Sequence, residues 1–252
     1  TIVPHTDSYV SNGLSAIVAL NVISSSSQTI ELPSGWSFWS TYIHPEGDNS
    51  ADISNVLSSL IGEYNSAANG YLNSDMIIVK NWTGDVFWPL FNINTIGDIV
   101  RGQGYQMNML VEDTLVIEGE LTPHDYNIDL PDGWFVMGYL HEEPNNAAEM
   151  MAPLIGEYDA IANGYLNSEL TILKDYLGNV FWPLFNINTI ENMKPGEGYQ
   201  IKLFNEQNFS YPEGSAGRLA YSDPIRTVYY ESAQNTGNNM TIGLPLTSWE
   251  VT

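Results

Sequence analysis

The eleven residues VFWPLFNINTI occur twice in this chain, once from Val86 and once from Val180. They belong to a longer duplication, because the segments that start at Leu60 and Leu154 align without a gap and are identical at 30 of 50 positions. A duplication of this length restricts the chain to folds in which the same unit can be built twice.

The repeat period indicates that the duplicated unit is a whole domain. Upstream, TIELPSGW from Thr29 aligns with NIDLPDGW from Asn127 once four residues near Gly47–Asp52 are skipped. The period of about 94 to 98 residues exceeds the roughly 20 to 50 residues of a solenoid repeat. We therefore predict an N-terminal segment at 1–15, repeat domains at 16–111 and 112–206, and a connector opening a further β module at 207–252. Both ends read as cut, so we expect a fragment of a longer protein.

Each repeat is predicted to be a mainly β (α+β), sandwich-like domain with one short helix. Strand-like runs occur at Ala16–Ile23 and Gly35–Ile43, and apolar residues at helical spacing follow from Ile53. Asp52 or Ser50 is expected to cap that helix. In the second repeat Pro153 falls inside the matching span, which predicts a short or broken helix there.

The repeated block is predicted to be the second arm of a β-hairpin. Two β-rich runs flank a turn at Thr83–Asp85, and the second copy has LGN at the same place. Pro89 cannot donate a ladder hydrogen bond, so it is expected at a sheet edge or a strand end. A GxGYQ turn then leads into a closing strand, and within the block one alternating set of aromatic residues should enter the core.

Composition excludes several classes of function. The 252-residue chain has 30 acidic and 7 basic residues, a formal net charge of −23, which argues against binding nucleic acid or anionic lipid. It has no cysteine, which removes disulfides and thiolate chemistry. No apolar run is long enough to be a membrane-spanning helix.

The motifs LPxGW, GxVFWPxFNIN and GxGYQ together resemble a repeat family of very large secreted proteins of marine Bacteroidetes, with similar units in predicted surface proteins of marine giant viruses. The resemblance covers roughly Val18–Leu203, and the closing TGNNMTIGLPLTSWEV resembles the phrase that often follows such repeats. The second repeat departs from the first in its loop MGYLHEEP. The resemblance implies a secreted or cell-surface location, often through type IX secretion, with no known catalysis and no established ligand.

Several repeated polar residues are candidates for chemical sites, and each is interpreted as structural. His44 and His141 adjoin acidic residues, but a metal needs at least three convergent ligands. Glu63 and Glu157 are repeated acids, and a glycoside hydrolase needs two carboxyl groups that flank one bond. We interpret both residues instead as part of a solvated acidic surface. Lys80 and Lys174 are interpreted as pairing with nearby acids, such as Asp85 for the first.

The aromatic residues at the hairpin tips, Trp82 and Tyr176, are the predicted binding residues, because exposed rings can stack on sugars or insert into a partner. No cofactor is predicted. The loop Gly47–Asp52 offers oxygen donors that would suit Ca²⁺, but the second repeat lacks it, so no motif specifies a calcium site.

We therefore expect a non-enzymatic structural or adhesive module of a long extracellular surface protein: an adhesin, a stalk, or a subunit of a surface filament or appendage. Its expected partners are copies of itself or neighbouring domains, and surface glycans under the second hypothesis. That hypothesis is a carbohydrate-binding module using Trp82 and Tyr176. An enzyme with shared carboxylates is the third.

Overall fold

The computed structural model describes residues 26–46 and 51–214. The predicted strand at Ala16–Ile23, the segment at 1–15 and the further module beyond residue 214 lie outside the described residues. Of the two proposed helix caps, Ser50 is also outside them.

Antiparallel strands and one short helix make up the first repeat. Its elements are β1 (Ser26–Leu32), β2 (Gly35–Trp39), β3 (Ile43–His44), α1 (Ile53–Val56), β4 (Glu63–Asn65), β5 (Gly70–Leu72), β6 (Met76–Lys80), β7 (Val86–Trp88), β8 (Ile93–Asn94), β9 (Tyr105–Met109) and β10 (Asp113–Leu121), with 3₁₀ helices at Ser58–Leu60 and Pro89–Phe91.

The second repeat has a similar order of elements, with one more short strand than the first among the described residues. Its elements are β11 (Ile128–Leu130), β12 (Gly133–Gly138), β13 (Asn145–Asn146), α2 (Ala147–Met150), β14 (Glu157–Asp159), β15 (Gly164–Leu166), β16 (Leu170–Lys174), β17 (Val180–Trp182), β18 (Ile187–Asn188), β19 (Asn192–Met193), β20 (Gly198–Leu203) and β21 (Gln207–Phe209), with 3₁₀ helices at Ala152–Leu154 and Pro183–Phe185.

Each repeat is built on a five-stranded antiparallel sheet, in the order β2-β9-β6-β7-β8 in the first and β12-β20-β16-β17-β18 in the second. The inner face of the first sheet packs against apolar side chains of β1, β10 and α1, which form one buried cluster with it. The second repeat has a matching cluster. The predicted class, a mainly β fold of two sandwich-like units with one short helix each, is confirmed.

Strand β10 lies with the first repeat, although the sequence alignment assigns it to the second. It pairs with β1 over the whole length of β1, from Ser26↔Gly119 to Leu32↔Asp113. In the second repeat, β21 pairs with β11 in the same way. The strand pairing therefore places the end of the first repeat after Leu121, later than the predicted boundary at 111/112. It also places Gln207–Phe209 in the second repeat, although 207–252 was predicted to be a connector that opens a further module.

The short helix ends early in both repeats, and proline is not the cause. Asp52 caps α1 by accepting the Ser54 amide, as predicted, and Asn146 caps α2 by accepting the Ala148 amide. Each helix has four residues and passes into a 3₁₀ turn. The first repeat does this without a proline, so Pro153 fits a break that is already part of the fold.

The two repeats contact each other through reciprocal hydrogen bonds. The Ser40 amide donates to the Gly196 carbonyl at 2.9 Å, and the Gly138 amide donates to the Gly102 carbonyl at 2.8 Å. In the sequence alignment Ser40 corresponds to Gly138, and Gly102 corresponds to Gly196. Each repeat therefore uses the same two positions, one as donor and one as acceptor, to contact the other repeat. Such a reciprocal contact relates two copies by a two-fold axis. The repeats thus form a closed pair with local two-fold pseudosymmetry.

Within the described ranges, no helix is long and apolar enough to cross a lipid bilayer.

Candidate functional site

The repeated block forms a strand, a 3₁₀ turn and a second strand in each copy. Strand β7 ends where Pro89 begins the 3₁₀ helix, so the proline lies at a strand end as predicted. Asn92 then adopts a left-handed conformation with φ 54°, and β8 returns alongside β7. The predicted hairpin between β6 and β7 is confirmed.

The block buries one aromatic residue and exposes several apolar ones. Phe87 and Phe181 are in the cores, whereas Trp88 and Trp182 are half-buried. We call the exposed apolar set of both copies the ridge; its members are Leu90 (48% exposed), Phe91 (52%) and Ile93 (40%), and Leu184 (49%), Phe185 (52%) and Ile187 (40%).

Folding explains only part of the identity between the two ridges. Phe91 rests edge-on against Trp88 with ring centroids 4.6 Å apart, so it has a local packing role. Leu90 and Ile93 are exposed and are not members of the buried core cluster. Exposure alone does not preserve a residue between the copies: Ala67 corresponds to Ile161, which is 99% exposed.

A groove of about 610 Å³ runs beside the ridge of the second repeat. It is bordered by rings of Tyr165, Trp182 and Phe204 and by polar side chains that include Asn167, Ser168, Glu169, Thr171 and Asn205. We call this site the groove. Its volume lies within the roughly 300 to 1,000 Å³ typical of small-molecule sites.

The groove is less polar at the corresponding positions of the first repeat. Thr171 and Asn205 correspond to Ile77 and Val111. Thr171 Oγ1 is buried and has no hydrogen-bond partner among the described residues, and Asn205 Nδ2 donates to Glu169 Oε2 at 3.0 Å. Only the second copy therefore combines aromatic rings with this set of hydrogen-bonding groups.

The predicted tip residues lie where the two repeats meet. Trp82 is 41% exposed, and its ring packs edge-on against Phe135 of the other repeat at 5.4 Å between centroids. Tyr176 was expected to be exposed at its tip, but it is only partly exposed and lines a crevice shared with the first repeat. Burial is the main cause of the raised pKa of Tyr176, followed by the nearby Glu197 carboxylate.

Side-chain hydrogen bonds hold each hairpin tip in the same conformation, but the amide and the carboxylate side chains have exchanged places between the two copies. Asn81 Oδ1 accepts the amides of Thr83 and Asp85, while Asn81 Nδ2 donates to Asp85 Oδ2 at 3.0 Å. In the second copy the carboxylate comes first: Asp175 Oδ1 accepts the Asn179 amide, and Asn179 Nδ2 donates to Asp175 Oδ2 at 2.7 Å. Hydrogen bonds from Thr83 and then from Asn81 lower the pKa of Asp85.

The repeated lysines pack on tryptophan rings. Lys80 Nζ lies 5.1 Å from the ring centroid of Trp36, and Lys174 Nζ lies 4.9 Å from that of Trp134. The expectation that Lys80 pairs with Asp85 is therefore replaced by a cation–π contact, since Asp85 bonds to its own turn.

The two aligned histidines have different surroundings. His44 lies in β3 beside Arg101 and Glu120, and its pKa is lowered, mainly by burial. His141 is buried, stacks on His124 at 4.8 Å between centroids, and has Nε2 3.0 Å from the Pro212 carbonyl. Burial is also the main cause of the lowered pKa of His141.

The acidic candidates do not converge on a site. Glu63 and Glu157 are exposed, each in the first strand of its small β4–β5 or β14–β15 hairpin. Of the proposed calcium loop, Asp52 serves as a helix cap and accepts from Asn94, while residues 47–50 lie outside the described ranges. In the part of the chain that the structure describes, no three His, Asp or Glu side chains are grouped to hold a metal ion.

Comparisons with family models, with curated proteins and with solved structures find no match to this chain. The function is therefore argued from the geometry of the ridge, the groove and the contact between the repeats.

Proposed function

We propose that this chain is a non-enzymatic structural and adhesive module of a long extracellular surface protein, and that its ridge contacts neighbouring copies or domains. The observation that carries the proposal is the identity of the exposed ridge residues in both copies, at nearly equal exposure. Exposed apolar residues with no role in the core are typical of surfaces that bind a partner.

The free energy available from burying one ridge is small, so a stable contact between copies requires both ridges. Fully burying a large apolar side chain stabilises by about 1.5 to 3 kcal/mol, and the ridge residues are already about half-buried, so each adds roughly half of that. One ridge alone gives a weak contact after the cost of association. Two ridges on one rigid pair raise the overall affinity through the high effective concentration of the second contact.

Sedimentation velocity of the full chain over a range of concentrations tests the proposal. The double variant Leu90→Lys/Leu184→Lys places a charge on both ridges and should abolish concentration-dependent association. Ile161→Lys is the matched control, because Ile161 is equally apolar and more exposed but is not shared by the first repeat. Association that is unchanged in the double variant, or absent in the wild-type chain, would exclude the ridge as a self-contact.

The groove supports carbohydrate binding as a second candidate function. Sugars are recognised by aromatic rings that stack on the pyranose face and by side chains that donate to or accept from the hydroxyl groups, and the groove borders on both kinds of group. Trp182→Ala should weaken the binding of neutral oligosaccharides in calorimetry. Trp88→Ala is the matched control in the first repeat, where Ile77 and Val111 replace two of the polar residues.

A further inference from the structure

We propose that the crevice between Trp36 and Tyr176 binds one sugar residue of a neutral glycan. This inference rests on the carbohydrate-binding function proposed above and assigns it a second subsite, separate from the groove. The crevice has a volume of about 260 Å³. Its lining comes from both repeats: Trp36, Ser37, Phe38 and Gln106 from the first, and Asp175, Tyr176, Gly178 and Gln200 from the second.

The crevice is open because each hairpin tip meets the other repeat at a different residue. In the half that contains Phe135, the ring of Trp82 packs against it. At the pseudosymmetric position, Ser37 replaces Phe135 and Tyr176 replaces Trp82. A serine cannot supply the volume or the ring contact of a phenylalanine, so space remains beside Tyr176.

The crevice offers hydrogen-bonding groups that a sugar hydroxyl would satisfy. The Ser37 side chain is 3% exposed and its Oγ is closed to solvent, so the amide groups of the lining are the ones within reach of a sugar. Gln106 and Gln200, which correspond to each other in the two repeats, add one amide donor and acceptor set each.

Trp36 supplies a ring on which a pyranose can stack. It is 50% exposed, and one ammonium group, that of Lys80, lies near its ring. Its counterpart Trp134 has two such neighbours, Lys174 at 4.9 Å and Lys202 at 5.6 Å from the ring centroid. Asn108 stands where Lys202 would be in the first repeat, so Trp36 is the less crowded of the two rings.

Charge favours a neutral ligand over a sulfated or uronic-acid glycan. The chain has a net charge of −23, and Asp175 adds a carboxylate to the lining of the crevice. An anionic polysaccharide would be repelled on approach. Neutral hexose chains carry only hydroxyl and ring C–H groups, and these match the amide, hydroxyl and aromatic groups of the crevice.

The test is titration calorimetry of the full chain with cellohexaose, laminarihexaose and mannohexaose as probes. Ser37→Phe copies the residue that packs against Trp82 in the other half of the pair and should weaken binding at least about tenfold, because the added ring would fill the space beside Tyr176. Tyr176→Ala, which removes the facing ring without adding volume to the core, should do the same. Trp134→Ala is the control, because Trp134 is the exposed counterpart of Trp36 and does not line the crevice, and this variant should bind as the wild type does.

The outcomes separate this inference from the function on which it rests. Weaker binding in both Ser37→Phe and Tyr176→Ala, with thermal unfolding still cooperative, supports the crevice. If binding is lost in Trp182→Ala but unchanged in Tyr176→Ala, carbohydrate binding stands and the crevice is excluded. If the wild-type chain binds none of the three probes, both fail.

Discussion

Ser40 Oγ donates a 2.6 Å hydrogen bond to the Glu197 carbonyl and accepts one from the Tyr139 amide at 3.1 Å. One fully buried hydroxyl of the first repeat therefore joins two backbone segments of the second. The reciprocal contact around this hydroxyl occupies the same surface of both repeats, so that surface is not free to bind another copy of the chain. Further assembly must use other surfaces, and the ridge is the exposed apolar surface that lies within the block repeated without change.

Ser40→Ala should destabilise the chain by about 1 to 3 kcal/mol, because the Glu197 carbonyl and the Tyr139 amide both lose a buried partner. Urea unfolding followed by tryptophan fluorescence measures this change. The control Ser66→Ala removes an exposed hydroxyl and should change stability by less than about 0.5 kcal/mol. Equal values for the two variants would contradict the role given to Ser40.

Gly70→Ala should cost about 3 kcal/mol or more, because an added Cβ would lie 1.9 Å from the Leu90 carbonyl oxygen at the base of the ridge. Relief requires a shift of backbone, which no rotamer change can supply. Gly35→Ala is the control for conformation alone: φ is +83° but nothing lies within 4 Å, so about 1 kcal/mol is expected. Thermal and urea unfolding of both variants would show whether the contact or the conformation dominates.

Exchanging the tip residues tests whether the two hairpin tips are equivalent. The double variant Asn81→Asp/Asp85→Asn reproduces the order of Asp175 and Asn179 and should stay within about 0.5 kcal/mol of the wild type. Asn81→Asp alone sets two carboxylates against each other and should cost about 1 kcal/mol. A double-mutant cycle by urea unfolding gives the coupling, and additive effects would argue against the shared geometry.

Acidification should destabilise the second repeat through His141. Its folded-state pKa is below 6.5, so the folded chain binds fewer protons than the unfolded chain between the two values. The stabilising contribution is therefore present above the unfolded pKa and is lost as the pH falls through the folded one. Packing of His141 against His124, Tyr139 and Tyr211 is the structural basis.

The measurement is the Tm of the wild type and of His141→Asn from about pH 7.5 to 5, the range in which histidine titrates. The wild type should lose stability relative to the variant as the pH falls. Taking the difference between the two removes the contribution of the many carboxylates. A difference that stays constant with pH would contradict the assignment.

Calcium should stabilise the chain only as a general counterion. A net charge of −23 predicts that added salt raises the Tm by screening self-repulsion. The loop Gly47–Asp52 is not repeated in the second copy, which favours no specific calcium site, so CaCl₂ and MgCl₂ at equal ionic strength should give equal shifts. A larger, saturable shift with Ca²⁺ would reveal a specific site.

Local patterns predicted much of each repeat. The β-rich runs on either side of the turn at Gly84 correctly predicted the hairpin. Pro89 cannot donate a ladder hydrogen bond, and this correctly predicted the end of the strand. The Asp52 cap could be predicted because the partner of its side chain, the Ser54 amide, is only two positions later in the chain. These features depend on neighbours in the chain, which the sequence displays directly.

The contact between the repeats could not be predicted in this way. The crevice depends on Ser37 facing Tyr176, residues far apart in the chain whose proximity follows from the pseudo-two-fold pairing. The identical block gave a signal of its own, since Leu90 and Ile93 are apolar in both copies. Whether they are buried or exposed depends on the 3₁₀ turn, and alternation alone does not show this turn.

Hydrogen–deuterium exchange of the full chain, compared between dilute and concentrated solutions, tests most directly whether the ridge joins one copy to another. If the ridge mediates contact between copies, protection should increase at 86–95 and 180–189 together, while the segments that join the two repeats stay equally protected at both concentrations. Protection that increases elsewhere, or in neither ridge, would contradict the account.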